Sequence, residues 1–260
     1  MGIALITGAS SGIGREFALQ LKESGEVDGF WLVARSRGKM EALAQELGCE
    51  CRVICADLST DEGVEALLRL VEEEKPEVGY LINCAGYGVF GGYDELSERE
   101  IVGMIDLNVK ALVRITHKVA PFIKRGGHII EMGSGSCFTP LPYFNVYAAG
   151  KSFVLHYSKA LKYEMKPKGI SVTCFCPGWV DTAFLGVATG ETGVTSPKAG
   201  SYKPLLKVDR VVRGAIRAAR RGKVMYVTNW YTKLQHVLFK LLPDGILTRM
   251  WMKRLQKGGT

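Results

Sequence analysis

Apolar runs of about five residues alternate with amphipathic stretches from the start of the chain, which predicts strands alternating with helices. Strands are expected at 3–7, 29–34, 51–56, 78–83, 127–132, 170–176 and 224–228. Helices are expected at 12–24, after the second strand through Leu47, at 61–74, 97–122, 147–165 and 208–221. Gly103 weakens the helical pattern of 97–122 locally. In 208–221, Val211, Val212, Ala215, Ile216 and Ala219 share one face and arginines occupy the other. Near-continuous apolar strands separated by helices imply a doubly wound parallel sheet with helices on both faces. Ligands of such sheets bind at the carboxyl ends of the strands, near the switch point in strand order.

The pattern changes after Thr182. Residues 183–207 mix Gly, Thr, Ser and Pro with few apolar positions, as a substrate-covering loop would. From 229 on, Trp230, Leu234, Leu238, Leu241, Ile246, Leu247, Trp251 and Leu255 are interleaved with lysine and arginine, broken at Pro243. This predicts two short basic amphipathic helices. The expected organisation is one α/β domain over 1–228 with a C-terminal amphipathic helical extension over 229–260. Three roles for the extension stay open: a cap or subunit contact, a membrane-surface segment, or an added core layer.

Composition bounds the class. The 260 residues are 47% hydrophobic and 23% charged, the balance of a globular protein able to bury its own core. No secretory leader is expected at MGIALITGAS, and no run of about 18 apolar residues predicts a membrane span. The expected place is the cytoplasm, with peripheral membrane contact allowed by the tail. Charge is uneven: residues 198–260 carry 15 Lys+Arg and 2 Asp+Glu, so the net +8 of the chain resides in its last quarter. No nucleic-acid motif accompanies these cations, and no nucleic-acid partner is expected. Cys49, Cys51 and Cys55 lack metal-binding spacing and read, with Val53, as one face of a buried strand. No metal site is expected.

The first strand runs into Thr7-Gly8-Ala9-Ser10-Ser11-Gly12-Ile13-Gly14. Glycines there let backbone approach a pyrophosphate, and the following helix offers N–H groups and a positive dipole end. After the second strand, Ala34 stands where a ribose-binding carboxylate is usual, and Arg35 follows, with Arg37 and Lys39 nearby. A guanidinium suits a 2′-phosphate, so NADP(H) is the expected cofactor. Tyr147 and Lys151 are four apart, which places phenol and ammonium on one helix face. The ammonium is expected to lower a tyrosine pKa from its usual value near ~10. Ser134 lies at a strand end, 13 residues before Tyr147, with Ser136 as the nearby alternative.

These motifs together resemble the short-chain dehydrogenase/reductase family, through about residue 182. The resemblance implies a single Rossmann-type domain and a catalytic set of Tyr147, Lys151, Ser134 and Asn108. In that set Asn108 holds a water that links the lysine to solvent. It also implies cofactor contacts at Gly8, Ser10, Ser11, Gly12, Ile13, Gly14, Asp57, Leu58, Asn83, Ala85, Gly86, Lys151, Pro177, Gly178, Val180 and Thr182. Cys84 departs from the family's usual second asparagine after Asn83. The implied activity is NADP(H)-dependent hydride transfer to or from a carbonyl or secondary alcohol of an apolar substrate, steroid-like, retinoid-like or acyl. Reduction of 3-oxoacyl thioesters is the rival within the enzymes, and a non-catalytic NADP-binding regulator the rival outside them. A homodimer or homotetramer through the helices near 101–122 and 147–165 is implied by the same resemblance.

Overall fold

Apolar residues at every position of a strand have two faces to bury, and this chain buries both. The computed structural model describes residues 1–189 and 205–258. Its strands are β1 (Ile3–Thr7), β2 (Phe30–Ala34), β3 (Cys51–Cys55), β4 (Val78–Asn83), β5 (Ile123–Met132), β6 (Ser171–Cys176) and β7 (Met225–Val227). They form one seven-stranded sheet in the order β3-β2-β1-β4-β5-β6-β7. All pairings are parallel.

Helices cover both faces. Ala4 and Ile6 of β1 share a core with Phe17 and Leu21 of α1 (Gly12–Ser24), Met40 and Leu43 of α2 (Arg37–Leu47), and Val212 and Ile216 of α8 (Val208–Arg220). Leu5 between them turns to the other core, with Leu67 of α3 (Asp61–Glu74), Ile115 of α5 (Leu112–Val119) and Leu161 of α6 (Asn145–Met165). The remaining helices are α4 (Glu98–Ile105), α7 (Phe184–Thr189), α9 (Trp230–Leu241) and α10 (Asp244–Gly258). Thr60 caps α3 by accepting from the Gly63 N–H, and Ser97 with Glu100 makes a capping box on α4. After β1 the chain steps one way along the sheet, and after β4 the other. The loops after these strands part and leave a crevice at their carboxyl ends.

Four details differ from the sequence pattern. The helix expected over 97–122 is α4, a π-helical turn at Asp106–Ala111, α5, and a 3₁₀ turn at Ala120–Phe122. Strand β5 begins at Ile123, earlier than expected, and pairs only through Val78↔Ile123 before a register shift. Strand β3 is the sheet edge, so the cysteine face is not fully buried: Cys51 is half-buried and Cys55 exposed. All seven cysteines are free thiols. The start of the loop expected over 183–207 is helical, because Phe184, Leu185 and Ala188 of α7 pack into an aromatic cluster. Residues 190–204 lie outside the described residues.

Candidate active site

The cofactor half is built by close packing of turns. Thr7 Oγ1 accepts hydrogen bonds from the N–H groups of Cys84 and Ala85, both at 3.0 Å, which ties the turn after β1 to the turn after β4. Gly8 has φ of 68°, and a Cβ there would stand 2.9 Å from Ala85 backbone. A Cβ on Gly14 would strike the Gly8 carbonyl oxygen. Only glycine fits either place. Ser11 at the start of α1 makes no side-chain cap bond, so the first-turn N–H groups of α1 remain open to an anion. Gly8, Ser10, Ser11, Gly12, Ile13 and Gly14 line a cavity of about 1020 Å³.

Arg35, Asp57 and Leu58 line the same cavity beyond β2 and β3. Burial works against ionisation of Asp57. Hydrogen bonds from Ser59 and the Arg35 charge outweigh it, and the carboxyl sits below its ordinary range. Ala85, Gly86, Pro177, Gly178, Val180 and Thr182 line the cavity at the ends of β4 and β6. A Cβ on Gly12 would lie 3.3 Å from the Thr182 methyl, so these two residues face each other closely. Asn83 is not among the lining residues. Its amide donates to Thr116 Oγ1 at 2.8 Å and to both oxygens of Glu131, at 3.3 and 3.1 Å. The residues present fit a dinucleotide: the glycine turn would hold its pyrophosphate, and Arg35 and Asp57 would hold its adenosine end.

The chemical half rests on α6. Tyr147 and Lys151 are both buried, on the face of α6 that meets the cavity. Lys151 Nζ donates to the Met132 carbonyl at 2.8 Å and stands 5.5 Å from the Tyr147 ring centre. Burial pulls the Lys151 pKa down to about 8. Burial also pushes the Tyr147 phenol above its ordinary value, and a hydrogen bond with Ser134 only partly opposes it. The lowering expected from Lys151 does not set the direction, because desolvation of a phenolate in this apolar wall dominates and only Ser134 opposes it. Tyr147 keeps its proton through neutral pH. Ser134 Oγ also accepts from the Ser136 N–H at 3.2 Å. Ser136 and Thr139 line the cavity, but their hydroxyl oxygens are themselves buried and have no hydrogen-bond partner among the described residues.

Asn108 does not line the cavity either. It sits 1% exposed in the π-helical turn, which resolves its poor fit to a regular helix. Its Oδ1 accepts from the Tyr87 N–H at 3.1 Å and its Nδ2 donates to the Tyr87 carbonyl at 2.7 Å. A Cβ on Gly86 would collide with Asn108 Oδ1 and lie 3.5 Å from Lys151 Nζ, so amide and ammonium converge on this glycine.

Several site residues have no motif to mark them. Phe90 stacks on Phe144 with ring centres 3.9 Å apart, and Phe144 lies 4.5 Å from Tyr147. Trp251 of α10 donates Nε1–H to the Pro142 carbonyl at 2.9 Å and stacks 6.5 Å from Phe90. Tyr231, Leu247 and Met250 of the tail line the cavity with Trp251. Gly88 lets its loop lie against the Tyr147 ring, where a Cβ would come within 2.6 Å. Glu131, fully buried behind Lys151, is pushed up to about 7 by burial, against the hydrogen bonds of Thr116 and Asn83. Only the aromatic content of the tail hinted at any of this.

A phosphate cradle that opens beside a buried phenol and ammonium defines a nucleotide-dependent oxidoreductase. Comparison with known proteins gives the same class. A family model described as short chain dehydrogenase matches residues 2–191. An uncharacterized oxidoreductase of Staphylococcus epidermidis is 30% identical over 182 residues, covering 69% of this chain and 78% of that protein. A very-long-chain 3-oxoacyl-CoA reductase of Podospora anserina is 33% identical over 206 residues, covering 75% of this chain but 59% of that one. The structure of a short-chain dehydrogenase from Sphingobium yanoikuyae in complex with NADPH has a TM-score of 0.80 at 30% identity, covering 95% of each chain. The chain belongs to the short chain dehydrogenase family. Among the described residues no helix is long and apolar enough to cross a membrane.

Proposed function

We propose that the protein uses NADP(H) to interconvert a carbonyl and a secondary alcohol on an apolar substrate, with the reduction running at Tyr147. The observation that carries this reading is the position of Tyr147. It joins the glycine-lined half of the cavity to the aromatic half, with Ser134 bonded to it and Lys151 beside it. When bound, the nicotinamide supplies or takes the hydride. Ser134 holds the substrate oxygen. Tyr147 gives its proton to the developing alkoxide as general acid. Lys151 steadies the charge left on the phenol and bonds the nicotinamide ribose. Asn108 fixes the backbone at 86–87 against the ammonium and holds the water that links the lysine to solvent.

Apolar substrates fit the wall made by Phe144, Leu141 and Trp251, which Phe90 backs from behind. Within that class, the name of the fungal relative favours a 3-oxoacyl thioester over a steroid-like or retinoid-like ketone. NADPH oxidation, followed spectroscopically against long-chain 3-oxoacyl thioesters, ketosteroids and small ketones, tests this. Turnover is expected with the large apolar ketones and not with the small ones. Binding of NADPH with no turnover on any of them would instead establish a non-catalytic regulator.

Cofactor preference is assigned to Arg35, which lines the cavity at the end of β2, where Ala34 stands in place of a ribose-binding carboxylate. Arg35→Ala is expected to raise the KM for NADPH by about 10- to 100-fold, the loss of one charged phosphate contact. The KM for NADH should hardly move. An equal rise for both cofactors would remove Arg35 from the phosphate. The described monomer also exposes Val102 and Ile105 on α4 and Phe153 on α6. Apolar side chains on these helices support assembly into a homodimer or homotetramer through that face.

A further inference from the structure

Helix α9 is built inside out. Trp230, Leu234, Val237, Leu238 and Leu241 recur at helical spacing, and all are exposed. Trp230 and Leu241 reach 75% exposure, whereas Thr232 on the opposite side is 5% exposed. A globular helix normally turns its apolar stripe inward, and a contiguous outward one marks a contact surface. On α10, Ile246 and Met250 are exposed in the same way. Tyr231 and Met250 are both exposed and part of the cavity lining, so the apolar stripe reaches the mouth of the pocket.

Charge decides what covers this surface. Lys233, Arg249 and Lys253 are exposed on the same two helices. Asp244 is the only carboxylate residue from 210 to 260. A second copy docking here by a two-fold axis would bring cations against cations with almost no acid to answer them. A bilayer with anionic headgroups answers both features. Its acyl boundary takes the leucines, its headgroups take the cations, and tryptophan and tyrosine suit the interface between.

We propose that α9 and the outer side of α10 dock the protein on an anionic membrane surface, with the mouth of the substrate pocket at the lipid. The docking itself needs no hydride chemistry, and the idea that substrate enters from the lipid rests on the apolar-substrate reading. Binding is therefore measured without substrate. The full chain is sedimented with vesicles of phosphatidylcholine alone and of phosphatidylcholine mixed with phosphatidylglycerol, and its mass is followed by sedimentation velocity. The wild type is expected to pellet with the mixed vesicles at low salt and to be released by high salt. L238S/L241S and K233E/R249E/K253E should each lower partitioning about tenfold or more. Thermal unfolding and NADPH binding should stay at wild-type values, since none of these side chains lines the cavity. Failure of the wild type to bind mixed vesicles overturns the proposal. So does unchanged partitioning of both variants, or variants that lose a subunit contact while still pelleting.

Discussion

Tyr147→Phe is expected to lower kcat by about a thousandfold while leaving the Kd for NADPH within about threefold of the wild type. The phenol oxygen is the only atom removed. The ring keeps its place against Phe144 and Phe184, so the fold should not change. Burial holds the phenol protonated at neutral pH, the state a general acid needs before the alkoxide forms. Lys151, drawn down to about 8 by its own burial, still carries its proton through most of the neutral range. In the proposed mechanism the pair separates two tasks, donation by tyrosine and charge compensation by lysine. Single-turnover kinetics with a substrate found by the screen, alongside fluorescence titration with NADPH, makes the measurement. Turnover above about a tenth of wild type would reject Tyr147 as the acid.

Gly14→Val should be the most damaging single change to the cofactor half. A Cβ at this position meets the Gly8 carbonyl oxygen, which is backbone and cannot swing aside. Gly8 is itself pinned by its positive φ and by Ala85. Overpacking at a fixed backbone contact costs about 3 kcal/mol, or a Tm lower by roughly 6–12 °C in a chain of this size. NADPH binding should be lost with it. Gly38→Ala is the internal control, because nothing lies within 4 Å of a Cβ there and the residue sits in α2. It should be neutral or raise the Tm slightly. Thermal scans of both variants with and without NADPH compare them. Equal effects would show that the glycine turn is not under the packing constraint described.

The parts of this molecule that one stretch of chain determines were legible in its sequence. Strand β1, the glycine turn and α1 follow one another within a few residues, so periodicity and the spacing of Gly8, Gly12 and Gly14 were enough. Tyr147 and Lys151 share a helix face by the pitch of the helix alone. What escaped notice depends on contacts between distant segments. The aromatic wall joins Phe90, Phe144 and Trp251, and Trp251 bonds the carbonyl of a residue 109 positions earlier. The electrostatic sign at Tyr147 also needed the fold. Sequence spacing supplies the lysine but not the apolar surroundings whose desolvation sets the direction. Cys55 reversed for the same kind of reason, since only the strand order reveals that β3 is an edge.

The two halves of the cavity have different ancestries of constraint. The floor is backbone against backbone, at Gly8, Gly14 and Ala85, where almost no substitution is silent. The far wall is side chains from α10 and the 141–144 loop, joined by one tryptophan bond and stacked rings. Mutations in the wall can drift or be selected without disturbing the floor. A substitution on α10 or in the 141–144 loop can therefore reshape the far wall while the backbone floor of the cavity stays as it is.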